Sequence, residues 1–328
     1  YIGGDFDNFD GIANADNIVR YNKQTGAYSA MGTGASSDVY ALAILPNGDL
    51  IAGGLFALMG GVANTARIAR WNGTTWNALG TGAFNSFVSA LAVGQDGLLY
   101  AGGGFSQIGG VANTGNIAKW NGTTWIAMGT GTNNTVRTVV VGVDGSIYAG
   151  GDFTLASGIA NTNHVAKWDG TVWSALDQGV GVGGVSVFSL AVGPDGTLFA
   201  GGDFLEIKTG TLANRVASWN GNVWVPLGSG TDNTIYRLAV GHDATLFASG
   251  LFGSAGGITL ADRVARWNGY SWAHLDIDLP GLPTVWAFLV GKRSDPVVKQ
   301  KYDLFIGFTT TGTGTFAGKT VVNNEGNV

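Results

Sequence analysis

One residue pattern recurs along the chain at a near-constant interval, and it limits the fold more than any other feature. The aromatic residue of a W-N-G or W-D-G motif falls at Trp71, Trp120, Trp168, Trp219 and Trp267, with Tyr21 as a divergent first copy, at steps of 50, 49, 48, 51 and 48 residues. Six copies are visible. Each follows the same order: an apolar strand such as Val88–Val93, a D-G or N-G turn, a strand ending in Gly-Gly such as Leu99–Gly103, a polar loop, then I-A-x-W-N-G-x-x-W-x-x-L-G. A period of 20–50 residues marks a solenoid, a propeller or a similar array.

Each piece of the repeat carries a local expectation. The near-continuous apolar run of Val88–Val93 and its counterparts predicts a strand buried on both faces, the innermost of a stacked blade. Asn-Gly at 72–73, 121–122, 220–221 and 268–269, and Asp-Gly at 169–170, predict two-residue hairpin turns with positive φ at both positions. That register sets Ala69 opposite Trp76, so the two tryptophans of a repeat lie diagonally on one face. The structural pairs are Trp71 with Trp76, Trp120 with Trp125, Trp168 with Trp173, Trp219 with Trp224, and Trp267 with Trp272, ten of the chain's 11 tryptophans.

Composition points the same way. Glycine is 56 of 328 residues and penalises helices by about 1 kcal/mol per site, while 45 % hydrophobic residues supply a core that a disordered chain lacks. Four short antiparallel strands per repeat, arranged radially, describe an all-β β-propeller. A linear solenoid would need polar capping repeats, and neither end has one. The chain starts mid-repeat at Tyr1–Phe6 and carries the missing first strand at Thr284–Val290, which predicts a six-bladed propeller over 1–302 closed by its N- and C-terminal strands, with seven blades as the alternative. Asp303–Phe308 matches the Gly-Gly strand once more and is surplus to six blades, so 303–328 reads as an exit segment toward a further domain. Lys292–Lys301 replaces a tight turn with a charged surface loop.

Charge and residue usage narrow the partners. With 17 basic against 22 acidic residues, net −5 and no basic run, the chain is not built to neutralise phosphates, which argues against nucleic acid. Cysteine is absent, removing disulfides, thiolate metal sites and Cys nucleophiles. Apolar runs such as Ala41–Leu45 fall far short of the roughly 20 residues that span a bilayer, so no membrane insertion is expected. Starting at Tyr1 with no basic and apolar leader, the chain reads as an excised or internal segment.

The Gly-Gly strand and the spaced aromatic pair that follows resemble the kelch-type propeller repeat. The longer pattern at 102–129, G-G-x-F-x-x-x-G-G-V-A-N-T-x-x-I-A-x-W-N-G-x-x-W-x-x-L-G, is similar to repeats of bacterial surface proteins, fungal cortical polarity-marker proteins and phage tail proteins, and covers about 1–290. Leu279–Val285, Asp303–Phe308 and Ala317–Val328 are similar to the exit from a propeller inserted in phage tail proteins of the distal-tail or tail-tip type. The likeness implies a virion structural protein of the tail, working in host attachment through a host-surface glycan or protein, through other virion tail subunits, or as a homo-oligomer. A secreted or cell-surface bacterial adhesin or lectin is the alternative, and a polysaccharide hydrolase a third.

No catalytic constellation is expected. His164, His242 and His274 fall in different repeats and at different repeat positions, and no nucleophile elbow occurs. Trp168–Trp173 departs from the sialidase Asp-box, with Asp and Gly adjacent and the leading Ser missing. Acids such as Asp96, Asp144 and Asp195 sit in D-G turns, where turn formation is their expected job. No cofactor is expected; Asp5, Asp7 and Asp10 offer oxygens of the kind Ca²⁺ takes, but their spacing departs from a calcium loop and favours a solvated loop. Arg20, Arg70, Lys119, Lys167 and Arg266 precede the motif aromatic and are expected to lay their stems over apolar blade edges. The candidate binding residues are those of the loops at 53–65, 102–114 and 150–162: Asn64, Thr65, Asn113, Thr114, Asn161 and Thr162. Similar loops repeated on one rim would make a multivalent contact surface, unless these residues only cap their turns.

Overall fold

The computed structural model describes residues 1–181, 185–208, 210–259, 263–275, 284–292, 302–309 and 316–322. Among them the regular structure is strand throughout, save a single 3-10 turn at Phe9–Gly11. Contacts divide the chain into one compact unit of Tyr1–Val141, Gly145–Thr162 and Ala166–Ala175, and a second of Gly142–Asp144, Asn163–Val165 and Leu176–Val328.

Each full repeat forms one four-stranded antiparallel sheet in sequence order, as in Val88–Val93, Leu99–Gly103, Ile117–Trp120 and Trp125–Ala127. Five such sheets are present, with three-stranded sheets at Ile2–Ala30 and at Thr284–Val322. Thr284–Lys292 pairs with Tyr302–Thr309 over eight positions, and Tyr302–Thr309 pairs in turn with Phe316–Val322.

The Gly-Gly strand, rather than the first strand, is the one buried throughout: all five residues of Leu50–Gly54, Leu99–Gly103, Ile147–Gly151, Leu198–Gly202 and Leu246–Gly250 are buried. It has a neighbour on each side, while the first strand is a sheet edge and four of the six residues of Val88–Val93 are only partly covered. Within the first unit, cores fill the spaces between consecutive sheets: Ile18, Met31, Val39 and Phe56 in one, Ile51, Leu79, Val88 and Phe105 in the next, Tyr100, Ile117, Val136 and Phe153 in the third. In the second unit Val216, Leu227, Ile235, Leu238 and Phe252 do the same.

The tryptophan pair joins repeat to repeat. Trp71 stands directly opposite Trp76, not diagonal to it, and the rings meet at 5.3 Å and 56°. The shift from expectation comes from the turn, which is four residues long: Asn72 N–H bonds Thr75 O, and only Gly73 has positive φ. Asn72 Oδ1 closes it by accepting from the N–H groups of Thr74 and Thr75, at 3.0 and 2.9 Å. The indole N–H of the second tryptophan then donates to the preceding repeat, Trp76 to Met31 O at 2.8 Å, Trp125 to Leu79 O at 3.0 Å and Trp173 to Met128 O at 2.9 Å in the first unit. Trp224 to Leu176 O and Trp272 to Leu227 O repeat this in the second. In four of these five bonds the accepting carbonyl belongs to the residue before Gly in W-x-x-L-G, and in the fifth Asp177 follows the acceptor Leu176.

Two of the cations before the motif aromatic lie beside aromatic rings. Lys119 Nζ sits 5.9 Å from the ring of Trp168 in the following sheet, and Lys167 Nζ lies 5.7 Å from Tyr148. Arg70 approaches Asp49 at 3.6 Å.

Candidate binding face

The Gly-Gly pair does more than end a strand. A Cβ on Gly53 would sit 2.6 Å from Val88 Cγ1, so the first glycine lets the next sheet's first strand pack close. A Cβ on Gly54 would sit 2.1 Å from Asp38 O, so the second is fixed by the sheet's own first strand, and Gly103 against Phe87 O repeats the constraint at 2.0 Å. At that point the ladder slips: Val39 faces Gly54 and Ala41 faces Gly53, leaving Tyr40 unpaired in a bulge. The same slip puts Ser89 and Arg137 at the bulge position in the first unit, and Phe188, Tyr236 and Trp286 in the second.

The bulge residue is also where the repeats part company. Val39, Val88, Val136, Val187 and Ile235 precede it and Leu42, Leu91, Val139, Leu190 and Leu238 follow two positions later, yet the bulge itself holds Tyr, Ser, Arg, Phe and Tyr. A scaffold needs the constant positions; the side chain at the changing one is available for other work.

In the first unit Tyr40 is 45 % exposed. Its hydroxyl donates to Asp38 Oδ2 at 3.2 Å, and its ring meets Phe87 edge-on at 6.0 Å and 84°. Partial burial, then the charge and hydrogen bond of Asp38, then the charge of Asp5, push the Tyr40 phenol up to about 12. Asp38 Oδ1 accepts from Ser37 Oγ at 3.2 Å. Arg137 forks onto Asp152 through Nε–Oδ1 at 2.5 Å and Nη2–Oδ2 at 2.8 Å. Ser89 Oγ turns away to bond Val136 O at 2.7 Å. In the second unit the rings of Phe188 and Tyr236 meet at 5.5 Å and 74°, and Asp203 Oδ1 accepts from Ser186 N–H at 2.6 Å.

The loops expected to bind lie at this same end of their sheets, since Leu58 O accepts from Ser36 N–H just before the strand that carries Tyr40. Their threonines do not reach a ligand. Thr65, Thr114 and Thr162 are fully buried, and each hydroxyl takes a loop N–H and gives its proton to a loop carbonyl: for Thr114, Ile108 N at 3.0 Å and Val111 O at 2.6 Å. Asn64, Asn113 and Asn161 are exposed at φ of 62, 60 and 64°, where asparagine is among the few side chains tolerated. The threonine hydroxyls thus close their own loops, and of the six candidate residues the three asparagines are the exposed ones.

The other singled-out residues are not brought together. Asp5, Asp7 and Asp10 are all exposed, and no three His, Cys, Asp or Glu side chains group to hold a metal among the described residues. His164 is buried with φ of 60°, at the place before the third strand where Asn17, Arg67, Asn116 and Arg215 each bond a backbone carbonyl further along. His242 and His274 are exposed. Asp96 and Asp195 close their turns on Leu98 N–H and Thr197 N–H, both at 3.0 Å, and that bond holds the Asp195 carboxyl below the usual range.

No protein-family model and no curated protein sequence matches the chain. Solved structures do. An ancestral GH74 enzyme matches 90 % of the chain and 42 % of its own length at TM-score 0.56 and 12 % identity. YCF48 bound to D1 peptide matches 87 % and 81 % at TM-score 0.50 and 14 % identity. PorZ, a bacterial surface component of the type-IX secretion system of Porphyromonas gingivalis, matches 83 % and 38 % at TM-score 0.51 and 13 % identity. The fold is a β-propeller. The chain spans less than half the length of the GH74 enzyme and of PorZ, and at these identities the likeness concerns the fold. No helix among the described residues is long and apolar enough to cross a membrane.

Proposed function

We propose that this chain is a non-enzymatic structural and adhesion module of a phage tail, whose bulge-end face meets a host-surface glycan or protein or a neighbouring tail subunit. The observation that carries the reading is the bulge series. A strand position that the scaffold holds in one bulge geometry, and whose residue type changes between repeats, leaves Tyr40 exposed beside a loop whose Thr65 hydroxyl is spent on its own backbone. Rigid display of varied side chains suits recognition, because little ordering entropy is lost on contact. The likeness of 279–328 to the exit of a tail propeller supports the virion setting.

Antibody-gold electron microscopy on the native source material tests it. Label on phage tails is the expected result. Label on cell envelopes instead would remove the tail assignment and favour a cell-surface adhesin using the same face.

A further inference from the structure

We infer that the bulge end of the first unit is a glycan-binding site centred on Tyr40, Phe87 and Asp38, which takes neutral or amino sugars and rejects acidic ones. The inference rests on the display reading above and names its ligand. A sugar ring offers an apolar C–H face and a rim of hydroxyls, so its binding site needs an exposed aromatic face with hydrogen-bonding groups at its border. Tyr40 gives the face and stands in a fixed pose, tied at its hydroxyl to Asp38 and braced edge-on by Phe87. A side chain held in this way does not have to be ordered on binding.

Asp38 gives the border. A carboxylate offers about four acceptor positions, and Tyr40 and Ser37 each donate to one of its oxygens. The remaining capacity suits the kind of donor a sugar hydroxyl or ammonium provides. Charge sets the selection. Asp5 and Asp38 both act on Tyr40, whereas the guanidinium next to Phe87, that of Arg67, is part-buried and donates to Ser86 O. A uronate, sialate or phosphate-bearing glycan would meet like charge here. The exposed asparagines of the loops lack an aromatic partner and are not assigned to the site.

The test uses the whole chain displayed in many copies on beads, because single sugar contacts are weak and multivalency raises them by about 10²–10⁴. Beads are offered immobilised cello-oligosaccharides, glucosamine oligomers and oligogalacturonate. Retention on the neutral or amino sugars and not on the uronate is expected. Tyr40→Ala should lower that retention about tenfold or more and Asp38→Asn should weaken it, while Tyr40→Phe keeps most of it and Thr123→Ala, at an exposed hairpin-turn position, leaves it unchanged. Matching thermal unfolding of each variant shows that the fold is intact. Retention on oligogalacturonate alone, retention indifferent to Tyr40→Ala, or no retention on any of the three overturns the inference. The display reading is judged separately by adhesion of the same beads to cells from the source culture. Adhesion that disappears after protease treatment of the cells identifies a protein partner, removing the glycan assignment and leaving the display reading; absence of both adhesion and tail labelling removes both.

Discussion

At the scale of single residues, the loop threonines and Tyr40 show how burial decides between two uses of a polar group. Thr114 is wholly enclosed and its hydroxyl has one donor and one acceptor partner within the loop, so its energy goes into shape. Thr114→Val keeps the volume, strips an acceptor from Ile108 N–H, and should cost about 1–3 kcal/mol; a lowered urea midpoint at unchanged slope is the expected reading. Tyr40, by contrast, keeps nearly half its surface in water. Its folded phenol titrates near 12 against 10 for the free group. Between those values the unfolded chain releases its proton first, so the Tyr40 contribution is complete below pH 10 and declines as pH climbs through the folded value. Asp38→Asn should move the phenolate absorbance of Tyr40 to lower pH without restoring the ordinary value, because partial burial is the larger cause. A titration unchanged by Asp38→Asn would show the carboxylate to be uncoupled from the ring.

At the scale of the element, the Gly-Gly strand and its bulge form one device. Gly103 has no room for a Cβ, which would lie 2.0 Å from Phe87 O, while a Cβ on Gly104 would meet Ser86 Oγ at 2.9 Å, a side chain free to rotate. Gly103→Ala must therefore push the backbone apart and cost about 3 kcal/mol or more, and Gly104→Ala should cost far less. Chemical denaturation of the pair measures the difference; equal losses would sink the claim that the carbonyl, not the glycine's flexibility, fixes the bulge. The sequence announced this strand and the blade repeat openly, because glycine and tryptophan have few substitutes where backbone and ring must meet. It was less open about the hairpin. Asn72-Gly73 reads as a two-residue turn from its identity, but the side chain of Asn72 reaches two N–H groups only in a four-residue loop, and that choice depends on Trp71 and Trp76 facing each other. The bulge position was nearly invisible. Repetition draws attention to what recurs, whereas the two positions between a fixed Val or Ile and a fixed Leu or Val both vary, and only the register slip singles out Tyr40, Arg137 and Phe188. Asn64 and Thr65, conspicuous by recurring, turned out to serve the loop in the case of the threonine.

At the scale of the whole molecule, stability is carried from repeat to repeat by bonds that no single sheet contains. In the first unit the indole N–H groups of Trp76, Trp125 and Trp173 each donate to a carbonyl 45 or 46 residues earlier, and the cores lie between sheets rather than within them. A repeat array built in this way has a stability close to the sum of its repeats and their nearest-neighbour contacts. Trp125→Phe tests the contact term alone: it retains an aromatic ring in a buried position, deletes the bond to Leu79 O, and leaves a small void. The cost should be about 1–3 kcal/mol for the orphaned carbonyl and lost packing. Because the bond belongs to two repeats at once, native-state hydrogen exchange should speed up in both Trp76–Ala78 and Trp125–Ala127, on either side of the removed donor. Loss confined to Trp125–Ala127 would mean that the indole anchors its own strand only, and that the coupling between these sheets comes from the apolar contacts of Val88 and Leu99 with Ile51 and Ile68.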